Sequence, residues 1–448
     1  MSSPHLFRHA KCERGGSVLG SDSGVPERLC AGRYSVAWMP VERGELSVLF
    51  EACLGFSLGG IEIPDSRKLI SIMAGSQKNP QPKVPIVEEA MARAVESAPS
   101  PGLHAWFWPD AKPFAVALSH DVDEVRWSWR RRLLMAAKHP HTVLQENERY
   151  WNFDRVLALE RRFGVRSSWY FVADGRHPRD PPYRLTDVAS VMGELEKQGQ
   201  EIGLHASYLS YADAAMLKRE REAIGKALGR PVLGVRQHFL NFDSSVTWRI
   251  QREAGFEYDS TLAYNEVSGF RAGICHPYRP PGHNIMEIPL ILMDGQLFLY
   301  ERFSVPQAVA NCERLSEAVA ARGGLLTMNW HQHTYDSYSF PGFWDVYEHM
   351  LGWLMARDPA FLTGEEVWQW WNLRSSVHIV EQERKRGSAT WTVSAPDRVP
   401  GLALRFLGPK EAGLHADAET RVTTRGDDHF IVFRELPADE PVTVASEW

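Results

Sequence analysis

The chain has 448 residues, 44% of them hydrophobic and 24% charged, with a formal net charge of -6. That length exceeds one ordinary core and calls for about two or three domains, and the composition is that of a folding globular chain. The mild acidity leaves no basic footprint for nucleic acid, and no run approaches the roughly 18 apolar residues of a membrane span.

The five cysteines, Cys12, Cys30, Cys53, Cys275 and Cys312, are scattered and form no Cys-x-x-Cys pair. Neither a disulfide framework nor a thiolate metal site is indicated. Residues 1–11 lack the apolar core of a signal peptide, so a cytoplasmic location is the expectation.

In chain order, residues 1–32 are rich in Gly, Ser and Arg without periodicity and read as a flexible tail. Residues 33–100 read as a small N-terminal α/β domain, with a strand at 34–38, a helix at 46–54 and short strands at 59–64 and 68–72. The cluster of turn formers at 96–102 marks the boundary with the next unit. From 101 to 373, strand-like and helix-like segments alternate. Strands are predicted at 114–118, 167–172, 201–204, 232–235, 258–262, 287–289 and 325–329, and helices at 153–163, 185–198, 212–228, 245–254 and 306–322. Repeated βα units argue for parallel strands wrapped by helices, most simply a closed or nearly closed (β/α) barrel. The Gly- and Pro-rich insertion 264–282 is long for a connection in a compact domain and has the character of a substrate-binding loop. Residues 374–448 change to short alternating strands split by turns, which predicts a C-terminal β-sandwich appendage.

Chemistry-bearing residues sit where the predicted barrel strands end. The run Ala115–Leu118 opens into Ser119-His120-Asp121-Val122-Asp123, and alternate residues of an extended chain share a face, so Asp121 and Asp123 can serve one site. Two converging carboxylates repel unless a cation or a shared proton intervenes. The alternative is a polar loop whose aspartates cap the next helix. His205 follows the strand Glu201-Ile-Gly-Leu, Arg236 and His238 follow Leu233-Gly-Val, Asp259 follows Phe256-Glu-Tyr, and His331 and His333 follow Leu325 to Trp330. One Asp with one or two neutral imidazoles suits zinc or another borderline divalent ion. A second carboxylate would then take a proton from water, and His331 would protonate the leaving amine or alkoxide.

The order Ser-His-Asp-Val-Asp, Gly-Leu-His-x-Ser-Tyr, Val-Arg-Gln-His-Phe, Tyr-Asp-Ser-Thr and Asn-Trp-His resembles a divergent branch of the polysaccharide deacetylases, the NodB-homology or carbohydrate esterase 4 group. The resemblance covers residues 114–373 and implies a distorted, incomplete (β/α) barrel, a divalent metal, most often Zn2+, and removal of an acetyl group from an N-acetylated sugar or glycoconjugate. It implies Asp121 as the base, Asp123 and His205 as metal ligands, Arg236 as the residue orienting the base, the Phe239 amide as an oxyanion donor and His331 as the acid. Asp259 corresponds loosely to an acidic fourth motif, and Tyr208 belongs to the second. The family's second metal histidine is missing, because Leu209 stands four residues after His205. His238, which replaces a proline of the third motif, is the expected substitute ligand; the alternative is that it contacts substrate. His120 is expected either to orient Asp121 or to pack, and His333, Tyr335 and His276 to form the pocket rim. Two other functions fit the same residues: hydrolysis of a non-sugar amide, and a catalytically inactive carbohydrate-binding or scaffold barrel.

Overall fold

The computed structural model describes residues 66–96, 102–127, 149–173 and 175–448. The tail, the strand expected at 34–38, the helix expected at 46–54 and the strand expected at 59–64 lie outside the described residues. The strand expected at 68–72 is instead part of a helix, α1 (Ser66–Met73), followed by α2 (Ile86–Glu96). Its apolar residues Leu69, Ile70, Ile72 and Met73 are all buried, a spacing of i, i+1, i+3 and i+4 that fits one face of a helix and not the alternation of a half-buried strand. Both helices fasten the insertion 264–282. The Tyr278 hydroxyl donates to the Met73 carbonyl at 2.7 Å, and Asn79 Nδ2 donates to the Phe270 carbonyl at 2.9 Å. Glu88 Oε1 accepts from the Cys275 amide at 3.0 Å and faces His276 Nδ1 at 2.8 Å.

The barrel is built on β2 (Ala115–Val122), β3 (Ser167–Phe171), β4 (Glu201–Ala206), β5 (Gly234–Gln237), β6 (Tyr258–Asp259), β7 (Met286–Glu287), β8 (Leu292–Met293), β9 (Leu325–Asn329) and β10 (Ala360–Phe361), after a short first strand β1 (Gly102–Ala105) that belongs elsewhere. The strand order is β7-β6-β5-β4-β3-β2-β9-β8, with β10 on the first half of β2. Every neighbouring pair in this sheet is parallel. Among the described residues β7 and β8 do not pair, so the barrel stays incomplete. All eight residues of β2 are buried, as suits a central parallel strand covered on both faces. Seven helices wrap the sheet among the described residues: α3 (Phe153–Phe163), α4 (Leu185–Lys197), α5 (Ala214–Leu228), α6 (Thr247–Glu253), α7 (Val305–Ala320), α8 (Phe343–Met355) and α9 (Gly364–Ser375). Local chemistry sets their ends. Gly164 closes α3 at φ 67°, a left-handed conformation that costs glycine little, and Ser304 with Gln307 forms a capping box before α7.

Small and large residues alternate inside the barrel. Asp121 is in register with Tyr170, Tyr170 with Gly203, and Gly234 with Tyr258. A Cβ on Gly203 would come within 2.6 Å of the Tyr170 ring, and one on Gly234 within 2.1 Å of Tyr258. The two buried tyrosines therefore occupy the volume that the glycines vacate, with their hydroxyls 3.1 Å apart. They form a floor beneath the ends of β2, β4 and β5.

After α9 the chain forms β11 (His378–Lys385), β12 (Ser388–Ser394), β13 (Val399–Pro400), β14 (Ala403–Leu407), β15 (Gly413–Ala416), β16 (Thr420–Arg425), β17 (Asp428–Phe433), β18 (Glu435–Leu436) and β19 (Val442–Glu447). Two four-stranded antiparallel sheets result, β11-β12-β19-β15 and β1-β14-β17-β16, with β13 and β18 as a separate pair. Trp391 of one sheet meets Phe406 of the other edge to face at 6.1 Å. β1, from before the barrel, completes the second sheet. Arg374, buried at the end of α9, donates to the carbonyls of Trp106 and Ala105 at 2.9 Å each and ties that strand to the barrel.

Gly234→Ala is expected to lower stability by about 1–3 kcal/mol through overpacking against Tyr258. Gly193→Ala, on α4 with no atom within 4 Å of the added Cβ, should be neutral or stabilising. Urea unfolding of both variants checks this, and equal effects would refute the packing account.

Candidate metal centre

β2 continues through His120, Asp121 and Val122, so Asp121 lies within the strand and Asp123 one residue beyond it. Both carboxylates face the end of the barrel to which β4, β5 and β9 bring His205, Arg236, His238 and His331. Arg236 is the buried anchor. Its Nη1 donates to Asp121 Oδ1 and to Ser119 Oγ at 2.9 and 2.8 Å, its Nε to the Ser260 carbonyl at 2.9 Å, and its Nη2 to Ser260 Oγ at 2.9 Å. The guanidinium also lies over the Tyr170 ring, 4.5 Å from its centroid. Asn329, the last residue of β9, grips Asp121 twice: its Nδ2 donates to Oδ2 at 2.8 Å, and its Oδ1 accepts from the Asp121 amide at 3.2 Å. Burial alone would raise the Asp121 pKa, but Arg236, then His205 and His331, hold it below the usual carboxylate value.

Asp123 sits at the centre of three imidazoles. Its Oδ1 is 3.2 Å from His205 Nε2 and 3.5 Å from His238 Nε2, and its Oδ2 is 3.3 Å from His331 Nε2. Burial opposes its charge, yet the imidazoles of His238, then His205 and His331, hold its pKa well below the normal value. His205 directs Nδ1 at the Arg236 carbonyl, 3.0 Å away, so Nδ1 carries a proton and Nε2 is the atom turned to Asp123; burial would lower its pKa, but Asp121, then Asp123, raise it. His238 has Asp180 Oδ1 3.7 Å behind its Nδ1. His331 is held by Asp294, whose Oδ1 lies 2.7 Å from Nδ1 and whose Oδ2 accepts from the His331 amide at 3.0 Å and from Thr334 Oγ1 at 3.0 Å. Burial would lower the His331 pKa; Asp294, then Asp123, raise it well above the usual imidazole value.

Asp123, His205 and His238 place their ligand atoms within 4.8 Å of one another, and Asp123 Oδ1 is a buried acceptor with no hydrogen-bond donor. An acceptor left in that condition, facing two ring nitrogens, fits a divalent cation. A second cluster of ligand-type residues, Glu88, Cys275 and His276, offers a contrast. There Glu88 Oε1 already accepts from both backbone amides, while His276 uses Nδ1 on Glu88 and Nε2 on the Gly323 carbonyl at 2.9 Å. That cluster is a clamp between α2 and the insertion loop. His276 thus lies there and not at the pocket rim.

Other expected site residues are placed differently. Asp259 is in register with Val235, one residue out of phase with Arg236, so it projects to the opposite face of the sheet. It accepts from Thr261 Oγ1 and pairs with Glu287, which takes the Trp248 indole N–H at 2.8 Å. His120 also points away from the site: its nitrogens face the Trp330 carbonyl at 2.6 Å and Glu160 Oε1 at 2.9 Å, between Trp169 and Trp344. It packs, and does not touch Asp121 through its ring. His333 lies behind His331 with Tyr150 and Phe340, and Tyr335 packs on Trp344. Tyr208 stacks on His177 at 4.6 Å and meets Phe239 edge to face at 5.6 Å. Phe239 follows His238 at φ 58°, a strained conformation for a side chain this large, and is 44% exposed. Leu209 is also exposed and offers no ligating atom.

Sequence reasoning passed over Asp180, Asp294 and Asn329. Asp294 directly follows the apolar run 288–293, the same signal that marked the other strand ends, and Asn329 stands two residues before His331. Asp180 sits in an Arg-Asp-Pro-Pro segment that reads as an ordinary turn.

No family model and no curated protein matches the chain. Solved structures similar to it include a protein of Mycobacterium smegmatis assigned to the polysaccharide deacetylases, at 21% identity and a TM-score of 0.43, covering 58% of this chain and 91% of that one. A PuuE allantoinase follows at 14% identity and a TM-score of 0.43, covering 59% and 92%. The peptidoglycan deacetylase PdaC of Bacillus subtilis is at 10% identity and 0.32, covering 58% and 92%. No helix among the described residues is long and apolar enough to cross a membrane.

The buried Asp259–Glu287 pair generates a pH prediction. Burial pushes Asp259 up to about 6 and Glu287 well above its ordinary value. Acids whose pKa rises on folding hold protons more tightly in the folded chain, so their contribution is fully present below the unfolded pKa values and is lost as pH climbs through the folded ones. Thermal unfolding followed from pH 5 to pH 9 should show a steeper loss of stability in wild type than in Glu287→Gln. Parallel curves would refute it.

Proposed function

We propose that this protein is a metal-dependent hydrolase that removes an acetyl group from an N-acetylated sugar or glycoconjugate. The observation that carries the reading is the donor-less Asp123 Oδ1 facing the Nε2 atoms of His205 and His238, with Asp121 and His331 on either side. Asp123, His205 and His238 would hold the ion, and the oxygen and nitrogen donors favour zinc. When bound, the ion would polarise the acetyl carbonyl and acidify water at the site.

The chain's own residues divide the remaining work. Asp121, fixed by Arg236 and Asn329, accepts the proton of the attacking water as its oxygen bonds to the acetyl carbon. The Phe239 amide, beside His238, is the proposed donor to the carbonyl oxygen as charge builds there. His331, held protonated at Nε2 by Asp294 behind it, gives that proton to the leaving nitrogen as the C–N bond breaks. Acetate and a free amine result. Asp180 orients His238 from behind, the outer-carboxylate arrangement that fixes a ligating imidazole.

Metal analysis of the purified protein, paired with acetate release from N-acetyl sugars, tests the reading. Wild type should retain a divalent ion that Asp123→Ala and His238→Ala lose, and Asp180→Asn should weaken metal affinity about 10–100-fold. His331→Ala and Asp121→Asn should keep the metal while kcat drops by about two to four orders of magnitude. A wild-type protein that takes up no divalent ion under any loading condition sinks the mechanism. Full metal affinity in His238→Ala sinks the assignment of the third ligand alone.

A further inference from the structure

Beside the proposed ligand His238 lies a cavity of about 160 Å³ whose walls include Arg176, His177, Asp180, Ser207, Arg219 and Glu220. These residues come from the segment after β3, the segment after β4 and the first turns of α5, so the cavity opens at the strand ends that carry Asp123 and His238. Asp180 belongs to both places, because the carboxylate in the cavity wall is the one 3.7 Å from His238 Nδ1.

The acids of this cavity are satisfied from within. Asp180 accepts backbone N–H groups from Tyr208 at 2.7 Å, His177 at 2.8 Å and Arg176 at 3.0 Å. Glu220 is buried, accepts the Ser207 amide at 3.1 Å and the Ser207 hydroxyl, and is pushed by burial up to about 7. The cations stand on the outer lip instead. Arg219 is exposed and meets no carboxylate among the described residues. Arg179 does not line the cavity but lies in the chain between the wall residues Pro178 and Asp180; it is exposed too, and spends its guanidinium on the Tyr208 hydroxyl and on the face of its ring, 4.8 Å from the centroid. From there the contacts run through Tyr208 to Phe239 and on to His238, whose ring lies 4.6 Å from that of Phe239. A positive lip on a chain of formal net charge -6 is a local feature, not a reflection of bulk charge.

We propose that this lip binds an anionic substituent of the substrate, a phosphate or a carboxylate, while the N-acetyl group lies at the metal centre. The inference rests on the deacetylase reading above. Guanidinium groups match the oxygens of both anions. The cavity is smaller than the roughly 300–1,000 Å³ of sites that enclose a whole ligand, so it suits a charged group on a larger molecule.

Calorimetric titration of the full-length, metal-loaded protein with N-acetylglucosamine, N-acetylglucosamine 6-phosphate and N-acetylmuramic acid tests this, with acetate release followed in parallel. At least one anionic sugar should bind about 10–100-fold more tightly than the neutral one, as charge-assisted hydrogen bonds would give. Which of the two gains identifies the anion. Arg179→Ala/Arg219→Ala should erase that advantage and leave binding of the neutral sugar unchanged; Arg219→Lys should keep part of it. Equal binding of all three sugars, binding of none, or an equal loss for neutral and anionic sugars in the double variant overturns the proposal. Anion-dependent binding without acetate release upholds the anionic subsite and overturns the deacetylase reading.

Discussion

A single buried guanidinium organises this site. Arg236 is 2% exposed, and an unpaired charge so placed would cost several kcal/mol. Asp121, Ser119, Ser260 and the Tyr170 ring offset that cost from four sides. The same residue acts through its backbone, since its carbonyl fixes the tautomer of His205. The proposed base Asp121 and the proposed metal ligand His205 are therefore both set by one position on β5, and neither can be moved without disturbing the other. The floor beneath depends on it as well: Tyr170 lies against the guanidinium only because Gly203 leaves room for its ring.

The site is a set of carboxylate–imidazole pairs arranged around Asp123. Behind His331 stands Asp294; behind His238 stands Asp180; behind His205 stands a carbonyl. Asp294 and the Arg236 carbonyl lie within hydrogen-bond distance and fix the rings of His331 and His205, while Asp180 stands 3.7 Å behind His238, and all three imidazoles converge on one carboxylate. The Glu88–His276 clamp shows the opposite outcome with similar residue types, because there each ring nitrogen ends on an oxygen of the protein itself.

Much of this was legible in the sequence because parallel strands bury both faces and change abruptly to polar residues at their ends. That contrast located Asp121, His205, Arg236, His238 and His331, and the helix at 153–163 carried a clean period of 3.6. It failed where the physics is not periodic. β2 runs through Val122 because its polar residues are paired inside the barrel, so polarity did not mark its end. Asp259 has the right position along the chain and the wrong parity, a distinction that needs the register between β5 and β6. Asp180 approaches His238 only through a folded loop, and β11, with half its residues charged and all but Ile379 exposed, has no alternation to detect. The segment 68–72 reads as a strand because five residues span little more than one helical turn, and the next apolar residue of the helical face, Met73, lies beyond it.

The strand β1 has a further consequence. It precedes the barrel in the chain, yet its register partner is β14, and Trp106 beside it touches Phe430 of β17 at 5.2 Å. The barrel is thus bracketed: the chain leaves the antiparallel sheets to build the barrel and returns to them afterwards. A cut at the apparent boundary near residue 374 would divide a sheet, not a linker. As an evolutionary or engineering cassette, the barrel can be exchanged only by insertion within its host sheet, with both junctions moved together.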